Sequence, residues 1–194
     1  MKAAVQTGVL SFKIEDMPMP RAGAGDVVAK VEFCGICGSD VHTCALEDAP
    51  MVGTVHGHEW SGTIVEVGLG VEGWKVGDRV LAGPGTPCGV CLKCLQGVPE
   101  ACDFILMADL PSKFRSGAFA EYVAVKAARL YRVPDEVTFE EAAVVEPLAV
   151  GLHIVHQSGM RAGDSVAILG GGPIGLSSLQ FARLGGAQWI FLTE

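Results

Sequence analysis

From residue 1 to about 135 the chain alternates short apolar runs with glycine and proline: KAAVQT, DVVAKVEF, GTIVEVG, GDRVLAG, GAFAEYVAV and ARLYRVP. Runs of this length, rich in valine and bounded by turn residues, are the pattern of strands, and their number predicts a β-barrel or sandwich. The rhythm changes at Thr138, which forms a capping-box pair with Glu141 ahead of AAVV, so a helix should begin there. A second helical stretch, PLAVGLHIV, opens with Pro147, read as the first helical residue because proline lacks the N–H that is unpaired there in any case. Beyond it, SVAILG reads as a buried strand, GGPIGLSSLQFARL as a helix with a glycine-rich entry, and QWIFLT as a second strand. Together they make a β-α-β unit.

These periods divide the chain into a β-rich domain over 1–155 and, over 156–194, the first β-α-β of a parallel α/β domain. Such a sheet needs more than two strands. The chain therefore reads as truncated at Glu194, and these residues alone are expected to be inactive.

Composition narrows the partners. With 49% hydrophobic residues among 194 there is ample material for a core. The formal charge of −8 gives no footprint for nucleic acid, and no run approaches the ~18 apolar residues of a membrane span. MKAAVQTGVLSFKIED is broken by polar residues and does not read as a signal peptide. A reducing cytoplasm is expected, with small molecules as partners, and there clustered cysteines hold metal more often than they pair as disulfides.

Four of the seven cysteines, Cys88, Cys91, Cys94 and Cys102, lie in PCGVCLKCLQGVPEACD. The spacing C-x2-C-x2-C-x7-C lets four thiolates converge on one zinc ion and leaves no position for water or substrate, so the role is structural. Free thiols or an iron–sulfur site are the alternatives, although the last spacer differs from the common cluster pattern.

A different set of groups occurs in FCGICGSDVH (33–42) and GHEWSG (57–62). Cys37 and His58 offer one thiolate and one imidazole, and a third ligand would leave a tetrahedral position open, as a catalytic zinc requires. Glu146 is the first candidate, because the residue before a proline is pushed out of the helical region. Glu59 is the rival, or the two exchange as substrate arrives.

GHEWSGTIVEVG (57–68), GICGSDVH (35–42), the four-cysteine loop and EPLAVGLH (146–153) together resemble the zinc-dependent medium-chain dehydrogenases, especially the polyol and butanediol dehydrogenase branch. The resemblance covers essentially the whole chain. It implies a GroES-like barrel catalytic domain followed by the start of an α/β Rossmann domain, in an enzyme that is a homo-oligomer when intact. It also implies that Cys37, His58 and Glu146 or Glu59 hold catalytic zinc, that Ser39 and His42 relay the substrate proton to solvent, and that Asp40 orients His58. The sequence departs from the alcohol branch in having Glu146 in place of a second cysteine, and His56 stands where the family usually has an apolar residue. Cys34 forms C-x-x-C with Cys37 but ends a predicted strand and reads as core. Cys44, His56, His153 and His156 are assigned to surface or packing.

Gly170, Gly172 and Gly175, with Pro173 and Ile174 between the last two, fit G-x-G-x-x-G between strand and helix. The three glycines serve a tight turn, approach to a pyrophosphate and close helix packing. Glu194 ends the second strand nineteen positions after Gly175, where a carboxylate accepts from ribose hydroxyls and repels a 2′-phosphate, favouring NAD over NADP. The expected function is zinc-dependent hydride transfer between a secondary alcohol or polyol and NAD. Within that chemistry an amino-acid side-chain alcohol or an alicyclic acyl-thioester alcohol is a runner-up, since DFILMADLPSKFRSG does not discriminate. A zinc-stapled binding or regulatory protein of dehydrogenase descent is the alternative of another class.

Overall fold

The computed structural model describes residues 1–47, 52–83, 85, 90–98, 101–102 and 117–194. Its elements in chain order are β1 (Lys2–Gly8), β2 (Ser11–Asp16), β3 (Asp26–Gly35), α1 (Gly38–Cys44), β4 (Glu59–Val67), β5 (Arg79–Ala82), α2 (Leu92–Leu95), β6 (Tyr122–Lys126), β7 (Leu130–Arg132), α3 (Phe139–Ala143), α4 (Val145–Gln157), β8 (Ser165–Leu169), α5 (Pro173–Leu184) and β9 (Trp189–Thr193). They form two compact units, Met1–Ala143 and Val144–Glu194.

In the first unit, Val27, Val28 and Ala29 are all fully buried. A strand covered on both faces belongs inside a sheet, and β3 lies in a five-stranded antiparallel sheet of order β6-β3-β4-β5-β7. Its core gathers Val27, Ala29, Trp60, Ile64, Val80 and Val123. The β1–β2 hairpin is a separate two-stranded sheet, tied by isolated bridges from Ala3 to Ala120 and from Val5 to Val55 to the segments that lead into β6 and β4. This is the expected β-rich barrel domain, with local differences. The hairpin partner β2 had no counterpart among the expected strands, because every one of its residues is exposed and no buried face marks it. ARLYRVP yields only a three-residue strand, since a 3-10 turn occupies Ala127–Arg129. The GTIVEVG strand begins earlier, at Glu59, opposite Gly35.

The capping box at Thr138 is present. Glu141 N–H donates to Thr138 Oγ1 at 3.2 Å, and Thr138 N–H donates to Glu141 Oε2 at 2.8 Å. α4 differs from expectation. It starts at Val145, so Pro147 is the third helical residue, and Glu146 is helical rather than extended. The first turn of a helix has no use for its N–H groups, which is why proline is tolerated there.

The compact units part after Ala143, ahead of the boundary expected at 155. The reason is that α4 packs on α5, with Ser177 seated against Gly151 where any Cβ would collide with it. Strands β8 and β9 pair in parallel and α5 covers one face. SVAILG was read as a buried strand, yet Leu169, Trp189 and Phe191 are exposed and only alternate residues such as Val166 and Ile168 turn inward.

Glu141 yields a pH prediction. The Thr138 N–H and hydroxyl hold its carboxyl below the ordinary carboxylate range. A depressed folded-state value means stability that is present above the unfolded pKa and lost as pH falls through the folded one. Acid unfolding of Glu141→Gln, followed by circular dichroism, should therefore show a smaller acid-side loss of stability than the unsubstituted chain.

Candidate functional site

The turn between β3 and α1 carries Cys37, and the segment entering β4 carries His58 and Glu59. Pairing of Gly35 with Glu59 brings these two segments together, and the Glu59 carboxylate lies where a Cβ on residue 35 would sit. The potential ligand atoms of Cys37, His58 and Glu59 all lie within 4.8 Å of one another, close enough to share one cation. Thiolate, imidazole and carboxylate are a donor set that suits zinc, and three protein ligands leave a fourth position open. The structure thus brings Glu59, one of the two carboxylates expected to compete, to the pair; Glu146 is a residue of α4.

Cys37 is also the N-cap of α1. Its Sγ accepts from Ser39 N–H at 3.5 Å, while Asp40 Oδ2 accepts from Cys37 N–H at 3.0 Å. The other carboxylate oxygen accepts from Gly57 N–H at 3.4 Å and stands 3.7 Å from Nδ1 of both His58 and His56. Buried Asp40 therefore touches both ligand-bearing segments. Gly57 holds φ +97°, and a side chain there would press on Phe119 N and Cys34 Sγ at under 3 Å, so glycine is required between the two histidines. Ser39 and His42 are exposed, three residues apart on α1, a spacing that puts both on one face.

Cys34 behaves as a core thiol. Burial, with Asp40 and Glu59 nearby adding to it, pushes its pKa up to about 12, so it stays protonated. Cys44 is buried and its thiol donates to Val41 O at 3.2 Å, while His153 and His156 are exposed. His56 is different from its assignment to surface or packing. It is 5% exposed and Nε2 lies 2.8 Å from Gln6 Oε1, so a second histidine flanking Gly57 was the signal that a polar contact had to be found for it.

In the cysteine loop, Cys91 caps the short helix α2 and Cys94 lies within it. Cys91 Sγ is 3.5 Å from Cys94 Sγ and 3.8 Å from Cys102 Sγ. Sulfurs around a zinc ion with arms of about 2.3 Å are spaced about 3.8 Å apart, whereas a disulfide would need about 2.05 Å. The three sulfurs are thus preset for metal. Cys88 and most of the DFILMADLPSKFRSG segment lie outside the described residues.

The glycine-rich turn divides its tasks residue by residue. Gly170 has φ +106°, a Cβ on Gly175 would collide with Gly170 O, and the position of a Cβ on Gly172 is open space at the start of α5. The first permits the turn, the third permits close packing, and the second leaves room for a phosphate group at a helix N-terminus. Pro173 and Ile174 occupy the first helical turn, and Glu194 Oε2 accepts from Gly171 N–H at 2.8 Å. The carboxylate thus sits at the mouth of the turn.

Residues 23–135 match the family model of the alcohol dehydrogenase GroES-like domain. The chain belongs to this family. Two curated relatives from Bacillus subtilis (strain 168) are similar over all of the chain: sorbitol dehydrogenase, 36% identical with 56% of its own length covered, and (R,R)-butanediol dehydrogenase, 38% identical with 58% covered. A crystal structure from Sinorhizobium meliloti 1021, described as a zinc-binding dehydrogenase bound to NADP, superposes with a TM-score of 0.89. It is 37% identical over 100% of this chain and 56% of its own. The chain therefore spans little more than half the length of these relatives.

Membership of this GroES-like family and the donor geometry lead to the same metal prediction. Metal analysis should find about two zinc ions per chain, one released readily by chelators and one held until unfolding, because only the closed thiolate shell is inaccessible and linked to folding. Cys91→Ser should remove the resistant ion and lower the unfolding midpoint; a metal content that this change leaves untouched would overturn the assignment of the cysteine loop.

Proposed function

We propose that this chain is the metal-binding domain and first nucleotide-binding segment of an NAD-dependent dehydrogenase acting on a secondary alcohol or polyol. The observation that carries this reading is the convergence of Cys37, His58 and Glu59 over Asp40 in a member of the alcohol dehydrogenase GroES-like family. The names of the relatives, sorbitol and butanediol dehydrogenases, support a hydroxyl-bearing substrate and support turnover over a non-catalytic binding role. A reducing cytoplasm accords with the thiolate-rich sites, and a homo-oligomer is what the family resemblance implies for the intact enzyme; no helix among the described residues is long and apolar enough to cross a membrane.

When bound, zinc polarises the alcohol oxygen and NAD takes up the hydride. Cys37, His58 and Glu59 would hold the metal, and Glu146 is the alternative carboxylate that the sequence offers. Asp40 fixes the spacing of Cys37 and His58 through its contacts with Cys37 N–H and Gly57 N–H. The Ser39 hydroxyl and the His42 imidazole, both exposed on α1, pass the alcohol proton to solvent. Peptide N–H groups at the start of α5 would bind a pyrophosphate placed over Gly172. One relative binds NADP, so the fold alone does not choose the cofactor. Glu194 makes the choice by accepting from the adenosine ribose and repelling a 2′-phosphate.

In the full-length enzyme, Cys37→Ala or His58→Ala should lower turnover roughly a thousandfold or more while leaving NAD binding nearly intact, since metal and cofactor are held by different residues. Comparing zinc retention in Glu59→Ala and Glu146→Ala identifies the direct ligand, expected to be Glu59; full activity and full zinc in both would exclude a carboxylate ligand.

Glu194→Ala should weaken NAD binding by about tenfold and strengthen that of NADP, because it removes charge-assisted hydrogen bonds together with a like-charge repulsion. Isothermal titration with both dinucleotides reads this directly, and an unchanged preference would show that selection resides elsewhere.

A further inference from the structure

Behind the open metal site lies a polar pair that the proposed reaction does not use. Gln6 is fully buried on β1, and His56 is nearly so. Both ends of the Gln6 amide are engaged: Nε2–H donates to Gly8 O at 3.1 Å, which turns Oε1 toward His56 Nε2 at 2.8 Å. An amide oxygen only accepts, so His56 Nε2 carries a hydrogen. The ring is further fixed by the edge of Phe12 on β2, 5.3 Å between centroids at 80°. In this orientation Nδ1 faces Asp40 Oδ1 at 3.7 Å, the same oxygen that faces His58.

The hairpin that carries Gln6 and Phe12 is tied to both ligand-bearing segments by its backbone. Gln6 N–H donates to Thr54 O at 3.0 Å and Gly53 N–H donates to Gln6 O at 2.8 Å, two residues or so ahead of His56. At its turn, Leu10 N–H donates to Cys44 O at 2.8 Å, at the far end of the helix that Cys37 caps. The hairpin is thus a brace spanning the two segments.

We infer that Gln6 and His56 are positioning residues for the metal site, forming a buried series from Gln6 through His56 to Asp40 that sets the spacing of Cys37 and His58. This rests on the metal-site reading above. The Asp40 carboxylate is held by the N–H groups of Cys37 and Gly57, with the rings of His56 and His58 standing against Oδ1; without the His56 wall it gains room to turn away from His58. Groups standing behind metal ligands change metal affinity by about 10–100-fold when lost.

The test uses the full chain, with zinc affinity measured by competition against a chromophoric chelator and the geometry of the site by the thiolate-to-cobalt absorption of the Co(II)-loaded protein. Gln6→Leu and His56→Leu are each expected to weaken the Cys37-dependent ion by about tenfold or more and to alter the cobalt band. In combination with Asp40→Asn, His56→Leu should add no further loss, because it acts through that carboxylate. The double variant Gln6→Leu/His56→Leu removes both buried polar groups together, so its unfolding midpoint should recover relative to the single variants while zinc affinity stays low. Recovery of zinc affinity along with stability, or additive losses from His56→Leu and Asp40→Asn, would overturn the inference. Absence of any Cys37-dependent cobalt band in the unsubstituted chain would instead defeat the metal-site reading on which it rests.

Discussion

A single carboxylate organises the first unit around its chemistry. Asp40 is buried at the start of α1, and it accepts from the N–H of Cys37 in its own turn and from the N–H of Gly57 in the approach to β4. A buried carboxylate must find such donors or be expelled. Meeting that demand joins two segments distant in sequence, and the joint is where Cys37 and His58 come to stand side by side. The surrounding constraints follow from it: glycine at 57, because the backbone turns through φ +97° under Phe119, and glycine at 35, because the Glu59 carboxylate occupies the space above it.

The two metal-ligand groups of this protein are built in opposite ways. Cys91, Cys94 and Cys102 sit on a loop with a single short helix, and their sulfur spacing matches the edges of a closed tetrahedron. A zinc ion held there would staple the loop. At Cys37, His58 and Glu59 the sheet and α1 supply the cohesion instead, through β3–β4 pairing and the Asp40 contacts. Order already provided by the protein would allow a metal held there to keep one coordination position open.

The second unit applies the same economy to the cofactor. Its turn uses one glycine for the left-handed backbone, one for proximity of strand and helix, and one for open space. The bond from Gly171 N–H to Glu194 closes the turn with the very carboxylate that is suited to a ribose. A dinucleotide bound at this turn would find that group already in place, which would reduce what must be ordered on binding.

Much was legible in the order of the residues alone. The valine-rich runs announced the strands, Thr138 and Glu141 the start of α3, G-x-G-x-x-G the strand-to-helix turn, and the cysteine spacing a thiolate cluster, because each depends on neighbours within a few positions. What only the tertiary structure decided were the features set by pairing across long gaps. β2 has no buried face to mark it, and α4 joined the second unit because Gly151 accommodates Ser177. Glu59 came to lie beside Cys37 and His58 through a strand register that no local pattern encodes. His56 found Gln6 fifty positions away, since a buried ring nitrogen needs a partner and only the folded chain determines which one is within reach.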